Sequence, residues 1–266
     1  MFTIIAERIN MTRKSIRTKA WERDAAFIAG EAARQAAAGA THIDVNAGGD
    51  PEKEIEDMQW LTDVVAGAVD LPLSFDSANP EALRAGIERC NRPGTIINSI
   101  TLERDRVAAT LPLVKEYGAS VICLTMDDDG MPEDAEGRMK LTSDAAALMA
   151  RNGIPLSRVY FDHLVRPAAT NPGQMKSLLD AVAWTRRTYP EAHISAGLSN
   201  VSFGVPRRTY LNRAFLSMLV AAGADASIID PTDQDMITTL YAARAVLGID
   251  EYGMEYIMKM RELGEV

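Results

Sequence analysis

One pattern constrains this chain more than any other. Short apolar runs alternate with longer segments rich in Ala, Leu, Glu and Arg, and the alternation repeats eight times. The apolar runs cover 2–8, 41–46, 71–75, 94–98, 120–126, 158–162, 193–198 and 225–229. Most are bounded by Gly, Pro or Asp, as expected of strands buried on both faces. The segments 24–38, 51–69, 80–90, 104–117, 141–152, 175–189, 209–222 and 232–247 have helical composition and period. Strict alternation implies a parallel sheet. Eight repeats point to an α/β fold closed as a (β/α)8 TIM barrel rather than an open sheet. No GxGxxG fingerprint follows any run, which counts against an open dinucleotide-binding sheet.

The punctuation between segments agrees. Asn79-Pro80-Glu81 reads as a cap followed by proline in a first helical turn. Gly39, Gly118, Gly153 and Gly223 each follow a helical segment, where a left-handed residue is wanted. At 266 residues the chain has the length of one such barrel. No linker or low-complexity stretch interrupts it. The expectation is a single domain, 1–266, with a further helix at about 251–263.

Composition narrows the partners. A formal net charge of -9 makes nucleic acid a poor partner, because phosphate backbones need a basic surface. The two cysteines, Cys90 and Cys123, form no CxxC pair and no metal-ligand spacing. Together with the short, polar start before residue 8, this favours a reducing cytoplasm. No apolar run nears the roughly 18 residues of a membrane span.

In a (β/α)8 barrel, functional side chains project from the carboxyl ends of the strands. Here those ends carry Glu7 and Asn10, Asp44 and Asn46, Asp76, Asn98, Asp162, Ser199 and Asn200, and Asp230. Any one of them can be a helix cap or a turn residue. A ring of acids and amides in nearly every repeat is more than capping requires, and it suits a nitrogen-rich heterocycle. A carboxylate accepts two adjacent N–H donors side by side, and an asparagine both donates and accepts. His42 and His193 fall in strands as packing residues, whereas His163, next to Asp162, is open to either reading. No Ser–His–Asp or Cys–His pairing and no HExxH is present. Asp127-Asp128-Asp129-Gly130 fails as a calcium loop, because Met131 stands where an oxygen ligand is needed. No metal site is expected.

Read in order, these strand ends form phrases: Glu7-Arg8-Ile9-Asn10, Asp44-Val45-Asn46-Ala47-Gly48, Phe75-Asp76-Ser77, Ile97-Asn98-Ser99, Tyr160-Phe161-Asp162 and Gly197-Leu198-Ser199-Asn200-Val201-Ser202. With Asn212-Arg213-Ala214-Phe215-Leu216, the series resembles the methyltetrahydrofolate:corrinoid protein methyltransferases, pterin-binding barrels that include the enzyme serving the corrinoid/iron–sulfur protein of acetogens. The resemblance implies a homodimer that takes tetrahydrofolate or 5-methyltetrahydrofolate as substrate. It also implies a corrinoid (cobalamin) carried on a partner protein. Asp76, Asn98 and Asp162 match positions that hold the pterin ring. Asn200 matches the asparagine approaching N5, with Gly197 and Ser199 in the same loop and Arg208 at the mouth. Glu7, Asn10, Asp44 and Asn46 are further candidates. A dihydropteroate synthase-like enzyme and a non-catalytic folate-binding module are the alternatives. The first ranks lower because the phrase from Gly197 to Ser202 fits the methyltransferases.

Overall fold

The computed structural model describes residues 2–264; Met1 and the last two positions of the expected 1–266 unit lie outside the described residues. Its eight strands are β1 (Thr3–Asn10), β2 (His42–Asn46), β3 (Leu73–Asp76), β4 (Ile96–Ile100), β5 (Ser120–Leu124), β6 (Val159–Asp162), β7 (His193–Ser195) and β8 (Ala226–Ile229). They form one parallel sheet in the order β7-β6-β5-β4-β3-β2-β1-β8. The free edges meet where Ile228 N donates to Ala196 O at 3.0 Å and Gly197 bridges Ile228 in parallel. The sheet therefore closes on itself.

Among the described residues, ten α-helices accompany the strands. Two precede β2, namely α1 (Lys14–Trp21) and α2 (Ala25–Ala37). Single helices follow β2 to β8: α3 (Glu54–Ala68), α4 (Pro80–Arg89), α5 (Arg104–Tyr117), α6 (Ala135–Arg151), α7 (Gln174–Thr188), α8 (Arg208–Ala222) and α9 (Gln234–Val246). The last, α10 (Met254–Glu262), packs against α9. None is long and apolar enough to cross a membrane.

The expected punctuation is present. Asn79 accepts from Glu81 N with Pro80 in the first turn of α4, and the four glycines after helices all have left-handed φ. Three differences matter. Helix α1 has no counterpart in the sequence reading, because its only buried residues are Ile16 and Ala20, too few to show a period. Helix α6 begins six residues before the expected 141, where the Asp134 carboxylate accepts from Gly137 N and starts the helix in a polar stretch. Strand β7 ends at Ser195 rather than 198, and the chain turns at 198–202 as a short 3-10 helix.

The lumen grades along the barrel axis. Alternate residues of a strand share a face, and Ile5, Ile96, Ile122, Tyr160 and Ala226 fill the amino-terminal half as one apolar plug. Two residues further along the same strands stand Glu7, Asn98, Leu124 and Asp162. A far larger apolar cluster lies outside the strands, beneath the helices of the first half of the barrel. The carboxyl-terminal half of the lumen thus gathers polar groups beside Leu124 and Ile228.

Candidate functional site

Strand register gathers the acids and amides into layers. Asn46, Asp76 and Asn98 are register partners across β2, β3 and β4, and Asp44 pairs with Ser74 one layer below. The side chains interlock accordingly. Asn46 Nδ2 donates to Asp76 Oδ2 at 2.8 Å. Ser74 Oγ and Asn98 Nδ2 both donate to Asp44 Oδ1, at 2.7 and 3.3 Å. Burial pushes the Asp44 carboxyl well up, with the Asp76 charge adding to the effect, and burial also raises Asp76.

Across the lumen, Asp162 ends β6. Its Oδ1 accepts from Leu164 N at 2.7 Å and its Oδ2 from Gly197 N at 3.3 Å. Burial raises its pKa to about 6, against those two backbone donors. Asp44, Asp76 and Asp162 have no cationic partner among the described residues. At neutral pH the Asp162 carboxylate in particular calls for hydrogen-bond donors from elsewhere, since an uncompensated buried carboxylate is costly.

The backbone link from Asp162 to Gly197 leads into the turn at 198–202. Asn200 stands exposed on this turn, and its side-chain amide makes no hydrogen bond to a described residue. Gly197 permits this placement, because a Cβ there would come within 3.2 Å of Asn200 Nδ2. The turn is latched by Arg208 at the start of α8, which donates to Ser199 O at 2.6 Å and to Ser202 Oγ at 2.9 Å.

The remaining candidates divide. Glu7 points into the upper lumen and accepts from Arg13 at 2.7 Å; burial raises its pKa, with Arg13 opposing. Asn10 lies on the rim, and its Oδ1 is taken up by Thr12 N at 2.9 Å and Thr12 Oγ1 at 2.6 Å. This is a local turn. Asp230 is engaged by Arg8 and Thr232. His163 does not face the lumen: its Nε2 meets Thr185 Oγ1 of α7 at 3.0 Å, and burial lowers its pKa to about 3. His42 and His193 are packed, the first between Thr41 and Gly94, the second stacked on Tyr160 and bonded to Asp225.

Two further residues were not among the sequence-derived site candidates, although Asn212 opens one of the quoted phrases. Ser195, the register partner of Asp162, has a buried Oγ without a partner among the described residues. Asn212 has a likewise unpartnered Oδ1 and lines a 90 Å³ cavity with Glu7, Ser199 and Asp230. Strand alternation from 193 and the helical spacing of 208 and 212 are the signals that would have found them. No group of three or more His, Cys, Asp or Glu among the described residues is placed to hold a metal.

Chemically, the site is a row of buried acceptors facing a free amide. It suits a flat ring with several adjacent N–H donors on one edge, presenting another edge to Asn200.

Comparison with known proteins gives a consistent picture. The model of the pterin binding enzyme family matches residues 6–230. The chain is 34% identical over 261 residues to a methylcorrinoid:tetrahydrofolate methyltransferase of Eubacterium limosum, covering 97% of this chain and 96% of that protein. It is 30% identical over 191 residues to methionine synthase of Mycobacterium tuberculosis, covering 66% of this chain but 16% of that much longer protein. Among solved structures, a dihydropteroate synthase of Xanthomonas albilineans superposes with a TM-score of 0.67 at 19% identity, covering 92% of each chain. That likeness speaks to the fold.

Proposed function

The chain belongs to the pterin-binding enzyme family, and from that premise we propose that it moves a methyl group between N5 of tetrahydrofolate and the cobalt of a corrinoid carried by a partner protein. The near full-length likeness to a methylcorrinoid:tetrahydrofolate methyltransferase supports this reaction over the other chemistries of the family. The observation that carries the reading is Asp162, a buried carboxylate with no cationic partner among the described residues, tied through Gly197 to the turn bearing a free Asn200. The site residues are assigned roles on that basis.

Asp162 and Asp76 accept the adjacent N–H donors of the pterin ring. Asn98 is oriented by Asp44, which leaves its carbonyl oxygen for the ring. Asn46 fixes Asp76. Glu7 and Asp44 complete the acidic wall, and Arg208 holds Ser199 and the turn in place. Asn10 stays a rim residue. In the transfer, the bond from N5 to the methyl carbon breaks as the carbon–cobalt bond forms, the electron pair remains on N5, and N5 then takes a proton. In the opposite direction the N5 lone pair attacks the methyl carbon, the carbon–cobalt pair stays on cobalt, and N5 gives up its proton. Asn200 hydrogen bonds N5 and serves either protonation state, because its amide donates and accepts. The protein supplies position and electrostatics, while the cobalt chemistry belongs to the corrinoid. The whole chain acts as one domain, in the cytoplasm, as a homodimer.

The test is methyl transfer from methyltetrahydrofolate to reduced free cobalamin, followed by cobalt absorbance. Wild-type enzyme forms methylcobalamin. Asn200→Ala loses about 10²–10³ in turnover with folate affinity nearly unchanged. Equal loss of both would remove Asn200 from the transition state, and wild-type folate binding without transfer would point to a strict requirement for the carrier protein or to a binding module.

A further inference from the structure

The segment after Asn200 is built unlike the rest of the rim. Phe203 is 68% exposed and Tyr210 62% exposed, and residues 206–210 between and beside them are exposed as well. Large hydrophobic side chains held out into water near a reaction centre mark a contact surface. Backbone hydrogen bonds tie this segment to the turn. Phe203 N donates to Asn200 O at 3.1 Å, Val205 N to Ser202 O at 3.3 Å and Tyr210 N to Arg207 O at 3.2 Å. On the other side of the turn, Ala168 N donates to Val201 O at 2.8 Å. The backbone of Phe203 is therefore tied directly to that of Asn200. Arg207 adopts a left-handed backbone at φ 52. Its side chain is exposed, and no side chain of the described residues pairs with it, in a chain with nine more negative than positive charges.

The proposed reaction fixes what must come here. Direct methyl transfer brings cobalt within bonding reach of the methyl on N5, so the carrier's protein surface has to cover the rim around Asn200. We infer that Phe203, Arg207 and Tyr210 form the docking surface for the corrinoid-carrying protein, with Phe203 and Tyr210 seated in an apolar patch and Arg207 facing a carboxylate on that partner. Aromatic and arginine side chains dominate interface energetics in this way. The inference rests on the methyl-transfer reading and adds to it which part of the rim recognises the carrier.

The test compares two acceptors under the same conditions: free cob(I)alamin, and a reconstituted corrinoid protein chosen because wild-type enzyme uses it with a lower KM than free cobalamin. Phe203→Ala and Arg207→Glu should each raise KM for the corrinoid protein about tenfold to a hundredfold. Turnover with free cob(I)alamin, folate affinity and Tm should stay at wild-type values. Raised salt should weaken the wild-type interaction and leave Arg207→Glu less affected. Unchanged KM for the corrinoid protein in both variants would overturn the docking surface, as would a wild-type enzyme that uses no corrinoid protein better than free cobalamin. Weakened folate binding by Phe203→Ala would assign the ring to the folate tail and also overturn it. Failure of wild-type transfer to either acceptor would instead sink the methyltransferase reading itself.

Discussion

The role proposed for Asp162 carries a cost in stability. Its carboxyl has a pKa of about 6 in the folded protein and about 3.9 in an unfolded chain. Because the folded value is raised, the neutral form favours folding below pH 4, and that advantage is lost as pH rises through 6. The difference amounts to about 3 kcal/mol between pH 4 and 8. Asp162→Asn removes the titration. Its stability relative to wild type, from urea unfolding of the ligand-free protein, should therefore shift in the variant's favour by about that amount over the same range. A constant offset from the altered hydrogen bonds to Leu164 and Gly197 does not affect this slope. Parallel stability profiles for the two proteins would show that the carboxyl is not strained by burial. The placing of the candidate site residues was legible in the sequence, since Asp76 and Asp162 end strands and Asn98 lies within the last residues of one. The bonding between them was not. That Asn10 is consumed by Thr12 while Asn200 stays free depends on local backbone geometry that residue type does not encode.

At the scale of elements, the site depends on how closely helices approach the strands behind it. Gly86 of α4 lies against Phe75 of β3, the residue before Asp76, and a Cβ there would come within 2.6 Å of Phe75 Cδ1. Phe75 is fully buried and has no room to retreat. Gly86→Ala should cost about 1–3 kcal/mol through overpacking, more than the helix propensity it gains. It should also weaken folate binding by displacing Asp76. Gly67 of α3 has nothing within 4 Å of its would-be Cβ, and Gly67→Ala should stabilise by up to about 1 kcal/mol. Urea midpoints for the pair check both, and equal effects would remove the packing argument. The repeating units themselves were readable because each buries an apolar run between glycine or proline breaks. The failures were polar pieces: α1, with two buried side chains, and the turn at 198–202, whose apolar Leu198 and Val201 mimic the end of a strand.

The whole molecule presents a lopsided surface. Of the twelve exposed large hydrophobics among the described residues, eight besides Tyr210 lie on α8, α9, α10 and the connection between the last two, including Val246 and Tyr252. The carboxyl end of α9 is at the face opposite the barrel mouth. A homodimer formed there would cover this patch and leave both mouths open to a carrier. Sedimentation equilibrium should give twice the 29.0 kDa chain mass. A Val246→Glu, Tyr252→Glu double variant should sediment as one copy and keep transfer to free cobalamin. A wild-type monomer, or a double variant that stays dimeric, would count against this arrangement.

The graded lumen has a consequence for descent with change. The apolar plug of Ile5, Ile96, Ile122, Tyr160 and Ala226 and the carboxylates above it occupy different residues of the same strands. Substitutions that tune heat tolerance can accumulate below without touching the ring of acids. Changes of ligand can arise above without loosening the floor. A lineage built on this scaffold can therefore explore new chemistry and new habitats along nearly separate axes.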